Sequence, residues 1–118
     1  MNKDKLNNIE KLIDSNNIEK AQIELSKLGP EYLKNKYYLY LRSKIFFINQ
    51  LYYIALDSLL IALEFEESDQ VYELISKIYN ILGNKELSKK VADPNLRSKA
   101  IATLKSELTG ISQKGYEV

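Results

Sequence analysis

Apolar residues recur every three or four positions along almost the whole chain, and the breaks between these runs are only a few residues long. That spacing is the mark of helices packed on one face. Leu6, Ile9, Leu12 and Ile13 set the first run, which stops at Ser15-Asn16-Asn17. Ile18, Ala21, Leu25 and Leu28 set the second. Gly29-Pro30 is placed to end it, because glycine accepts the left-handed C-terminal conformation and proline cannot continue a helix. From Tyr32 to Phe65 the chain is largely apolar, and its pause at Asn49-Gln50 reads as a turn. Two helices of that kind belong between other helices. Ser68 reads as an N-cap, with Asp69 favourably placed at the helix start. Val71, Leu74, Ile75, Ile78, Ile81 and Leu82 follow, Gly83-Asn84 turns the chain, and Leu87 and Val91 mark a short helix. Asp93-Pro94 caps and opens a last helix carrying Leu96, Ala100, Ile101, Leu104 and Leu108, predicted to stop at Gly110. About seven helices with short turns make an all-α fold of antiparallel neighbours, with one domain over residues 1–110 and a non-periodic tail over 111–118.

A small residue recurs in the second helix of each pair: Ala21, Ala55 and Ser88, separated by 34 and then 33 positions. Helices approach closely only where a side chain is slim. A helical-hairpin period near 34 residues is the tetratricopeptide spacing, and the chain resembles that family. The resemblance rests on Leu39, Ser43 and Phe46, then Tyr72, Ser76 and Tyr79, as large, small and aromatic positions of first helices. Tyr52, Ala55, Leu59 and Ala62 match a second helix, and Gly83, Ser88 and Ala92 match the end of the third unit. The first unit departs, with Lys5, Ile9 and Leu12 at those places; the chain has no tryptophan, and Glu67 stands where a helix-ending proline is common. The resemblance implies a short right-handed α-solenoid of about three helical hairpins plus a C-terminal capping helix.

Composition narrows the chemistry. There is no Cys and no His, so thiolate nucleophiles, disulfides and the side chain best suited to proton transfer near neutral pH are absent. Any metal site would use carboxylates alone. The four carboxylates Glu64, Glu66, Glu67 and Asp69 lack the glycine turn of a calcium loop and read as a solvated helix junction. No phosphate loop, dinucleotide fingerprint or nucleophile elbow is present. The expectation is a non-enzyme without cofactor or metal. Net charge is +1, so there is no bulk pull toward nucleic acid or anionic lipid. The apolar stretch from Ile45 to Leu56 is shorter than the roughly 20 residues a membrane span needs. With a polar N-terminus and no Cys, a cytoplasmic location without membrane attachment is expected.

The resemblance puts the first helices of each unit on a concave groove. The matching positions are Leu6, Glu10 and Ile13, then Tyr37, Tyr40, Lys44, Phe47 and Ile48, then Gln70, Glu73, Lys77, Asn80 and Ile81. Tyr37, Tyr40 and Phe47 are expected either to floor a partner site, with Lys44, Gln70 and Lys77 beside them, or to be covered by the C-terminal helix as core. Leu6, Glu10, Leu41, Gln70 and Leu74 fall where family members that clamp acidic chaperone tails carry cationic and amide side chains, which argues against that activity. The leading expectation is a non-catalytic adaptor or scaffold that holds a protein segment. The alternative is a small factor docked on a large assembly such as the ribosome. It would use a basic C-terminal face, with Lys85, Lys89, Lys90 and Lys99, and an inserted tail anchored by Tyr116.

Overall fold

The computed structural model describes residues 3–114, and the regular elements among them are all helical. They are α1 (Lys3–Asp14), α2 (Ile18–Ser26), a single 3-10 turn (Pro30–Tyr32), α3 (Lys36–Ile48), α4 (Tyr52–Phe65), α5 (Asp69–Ile81), α6 (Lys85–Ala92) and α7 (Arg97–Lys114). The closest packing is within the pairs α3–α4, α5–α6 and α1–α2, so each pair forms a helical hairpin.

The three hairpins turn in one way. Asn16, Gln50 and Gly83 take positive φ of 64°, 62° and 86°, spaced by the same 34 and 33 positions as the small residues. The following N–H reaches back over the turn in each case. Asn17 donates to the Leu12 carbonyl at 2.7 Å, Leu51 to Phe46 at 2.9 Å and Asn84 to Tyr79 at 2.9 Å. This is the Schellman closure, which satisfies the last carbonyls of a helix and stops it. Ala21 and Ala55 are fully buried and Ser88 is buried. Ser88 and Ser76 donate their hydroxyls to each other's main-chain carbonyls, both at 2.7 Å, so α5 and α6 touch nearly backbone to backbone.

The core has two parts that meet at α3. Leu6, Ile9 and Ile13 of α1, Ala21 and Leu25 of α2, Tyr32, and Leu41 and Ile45 of α3 form one. Leu39 of α3 joins α4, α5, α6 and α7 in the other. That two-sided burial is why α3 is largely apolar. Burial of a leucine or isoleucine side chain contributes roughly 1.5–3 kcal/mol, so these two clusters dominate the stability. α7 buries Ala100, Leu104 and Leu108 and packs on α6 and α4. It also touches the face of α5 that carries Tyr72 and Tyr79: Arg97 lies 4.1 Å over the Tyr72 ring, and Tyr79 donates to Glu107 at 3.2 Å.

Four local expectations change. Asp93-Pro94 does not open the last helix: α7 begins at Arg97, and the Asp93 carboxylate accepts from the Asn95 N–H at 2.9 Å in the turn before it. α2 ends at Ser26, before Gly29-Pro30, because the residue ahead of a proline is pushed to extended backbone; Gly29 has φ −77° and ψ 174°. Pro30 then opens the 3-10 turn that drives Tyr32 into the core. Ser68 occupies an N-cap position without a side-chain cap bond. The side-chain caps fall on asparagines: Asn35 accepts from the Tyr38 N–H at 2.9 Å and Asn84 from the Leu87 N–H at 3.1 Å. α7 runs through Gly110 to Lys114, so the periodic region does not stop at residue 110. A glycine inside a helix costs about 1 kcal/mol but keeps its N–H and carbonyl in the ladder, so it weakens a helix without ending it. Tyr116 lies outside the described residues.

Candidate functional site

On α3, residues 40, 44 and 47 recur at helical spacing and face the same side as residues 70, 73, 74 and 77 of α5. The C-terminal end of α1 closes that side with Ile13 and Asp14. Together they form an open cleft of about 390 Å³. Tyr40, Lys44, Phe47, Gln70 and Lys77, five of the residues expected from the sequence, are brought together here. Among the described residues no part of α7 lines it, because α7 packs across α4 and α6 and meets α5 on its far side. The aromatic face is therefore not covered as core by the described part of the C-terminal helix.

The cationic side chains in the cleft rest on rings. The Lys44 ammonium lies 5.6 Å from the Tyr40 ring centroid and the Lys77 ammonium 5.2 Å from that of Phe47. Attraction to the ring quadrupole operates at such distances and holds long side chains against an apolar floor. Phe47 in turn meets Tyr52 of α4, with centroids 5.9 Å apart and planes tilted by 60°. Lys44 reaches Asp14 at 3.4 Å, across from α3 to α1. Among the described residues Lys77 and Glu73 have no ion pair, although they stand one helical turn apart. The Tyr40 hydroxyl is pushed above the usual tyrosine range, chiefly by burial. Lys44 opposes that push, while Glu10, Glu73 and Asp14 add to it. A hydroxyl held protonated this firmly is a hydrogen-bond donor rather than a base at neutral pH.

Tyr37 stands beside the cleft rather than in it. Its hydroxyl donates to Glu10 at 3.0 Å and approaches Asn7 at 3.1 Å, which pins α3 to α1. Burial first, then the hydrogen bond to Glu10, raises its pKa to about 12. Leu6 and Leu41, at two of the clamp positions, are buried to 1% and 0% exposure and cannot receive a carboxylate. Asp14 is a lining residue that was not expected on the groove, and Leu74, one of the clamp positions, also lines it. Asp14 stands one helical turn beyond Glu10, which was its available signal.

The other charged groups separate. Glu66 pairs with Lys36 at 3.0 Å, Glu67 accepts from the Tyr72 hydroxyl at 3.1 Å, and Asp69 faces Arg97 at 3.7 Å. Those carboxylates therefore point to different partners, and among the described residues no group of carboxylates converges as a metal site. Lys90 pairs with Glu86 at 2.9 Å, whereas Lys85, Lys89 and Lys99 are exposed. Among the described residues no helix is long and apolar enough to cross a membrane. No protein-family model, characterised protein or solved structure matches the chain at a significant level.

Proposed function

We propose that this chain is a non-catalytic adaptor with a tetratricopeptide-like hairpin array, which holds a segment of a partner protein in the cleft between α1, α3 and α5. The observation that carries the reading is the half-buried floor of Tyr40 and Phe47, braced by two lysines and left open by α7. Rings of this kind contribute a large contact area at low entropic cost, and interface hot spots concentrate on them. The array reading is supported by three turns of one geometry at a 34- and 33-residue spacing, with a slim residue buried in each second helix.

The test is the double substitution Tyr40→Ala with Phe47→Ala, assayed against the partner recovered by the wild-type chain from its native cell and identified by mass spectrometry. Affinity is expected to fall at least about 30-fold, the equivalent of a single 2 kcal/mol hot spot, with helix content unchanged by circular dichroism. Retained affinity, or loss of helix, overturns the assignment.

A second reading, docking on a nucleoprotein assembly, is favoured by one observation: the ammonium groups of Lys85, Lys89 and Lys99 are exposed and make no ion pair among the described residues. Salt separates the two. Each phosphate contact adds roughly 0.7–0.9 to the slope of log affinity against log salt, whereas apolar cleft binding stays nearly flat.

A further inference from the structure

The chain has two arginines, and their surroundings differ. Arg97 is tied to its neighbours: it lies over the Tyr72 ring, faces Asp69 at 3.7 Å and reaches the Ala92 carbonyl at 3.4 Å, although its buried Nε–H has no partner among the described residues. Arg42 is not. Its guanidinium lies 5.1 Å over the Phe46 ring, and among the described residues no hydrogen bond or ion pair engages it. A guanidinium without hydrogen-bond or ion-pair partners keeps its N–H donors for another group, and their fork is spaced for a carboxylate.

Arg42 lines a second cleft, of about 220 Å³, between α2 and α3, on the side of α3 away from Tyr40 and Phe47. Leu25, Ile45 and Phe46 give it apolar walls, Gln22 and Ser26 add uncharged polar groups on the α2 side, and Tyr38 adds a half-buried ring. No carboxylate lines it, so its one charge is uncompensated. Its volume is below the roughly 300–1,000 Å³ of pockets that enclose small molecules, and suits a side chain or two of a docked segment.

We propose that this cleft is a second docking site, which takes a protein segment presenting an aspartate or glutamate carboxylate to Arg42 with an aliphatic side chain beside it on Leu25, Ile45 and Phe46. A single cation calls for a single negative charge, and the apolar walls call for a neighbour that water does not hold. The site is independent of the α1–α3–α5 cleft and does not rest on its assignment.

The experiment uses the full chain, labelled with nitrogen-15, and two capped peptides, Leu-Glu-Leu-Leu and the same peptide with glutamine in place of glutamate. The glutamate peptide is expected to shift the Arg42 Nε–H resonance saturably and to bind at least about tenfold more tightly than its amide twin, as a charge-assisted bond requires. Arg42→Gln should abolish the difference, and Tyr40→Ala with Phe47→Ala should leave it intact. Equal binding of the two peptides, shifts that map away from α2 and α3, or preference of Arg42 for inorganic phosphate over the glutamate peptide overturns the proposal. The peptide pair decides it on the wild-type chain even where Arg42→Gln fails to fold.

Discussion

Four tyrosines, Tyr37, Tyr40, Tyr72 and Tyr79, have ionisations raised by burial, and Tyr37 and Tyr79 show how the fold responds to alkaline pH. Both donate their hydroxyls to carboxylates, Glu10 and Glu107, and burial raises both ionisations, that of Tyr37 to about 12. Below about pH 10 the folded and unfolded chains both hold these protons, and the full stabilisation is present. Between about pH 10 and 12 the unfolded chain releases a proton that folded Tyr37 retains, so stability must fall as pH rises. Urea midpoints measured across that window are expected to decline, and Tyr37→Phe should make the decline shallower, the other raised tyrosines keeping part of it. A pH-independent midpoint would show that the hydroxyl is not held as described. The sequence marked Tyr37 as a residue of interest but placed it in the partner site. Its bond to Glu10 spans 27 positions, and local spacing carries no information about which helix lies opposite.

At the scale of elements, helix ends are set by single polar side chains and by backbone sign. Asn35 and Asn84 each satisfy an orphan N–H, so Asn35→Ala and Asn84→Ala are each expected to cost about 1 kcal/mol. Ser68→Ala, which removes no cap bond, should stay within about 0.5 kcal/mol. Chemical denaturation of the three variants checks the ranking, and a large loss at Ser68 alone would reverse it. The helices themselves and the positions of most turns were legible, because a run of three-and-four spacing is local and its interruptions are short. Cap choice was not. Serine and asparagine are equally good candidates by type, and only the arrival of the chain at a given dihedral decides whether the side-chain oxygen reaches the N–H. Gln50 makes the same point: glutamine is no left-handed specialist, yet it holds φ 62° because the packed helices on either side require a reversal there.

For the whole molecule, the decisive element is α7. Leu104 is fully buried against the second part of the core, so Leu104→Ala is expected to cost about 2–4 kcal/mol, although it lies away from the α1–α3–α5 cleft. Thermal or urea denaturation measures this, and a change under about 0.5 kcal/mol would mean that α7 does not belong to the core. By packing on α4 and α6, α7 closes the second-helix side and leaves Tyr40 and Phe47 facing outward. The sequence held both outcomes open, because an apolar stripe on α7 calls for burial without saying which side of the hairpins supplies it.

The sequence alone determined the helices, their pairing into hairpins and the slim residues at 21, 55 and 88, since each depends on contacts between residues near one another along the chain. Helical phase put Tyr40, Lys44 and Phe47 on one face of their helix, and only the resemblance to tetratricopeptide arrays set Gln70 and Lys77 beside them. Tertiary structure alone decided that α7 leaves that side open, that Tyr37 is tied to α1, and that Arg42 stands unpaired over Phe46. Those outcomes depend on which distant surfaces meet, and burial energy is non-directional: it rewards covering apolar area without specifying which helix covers it.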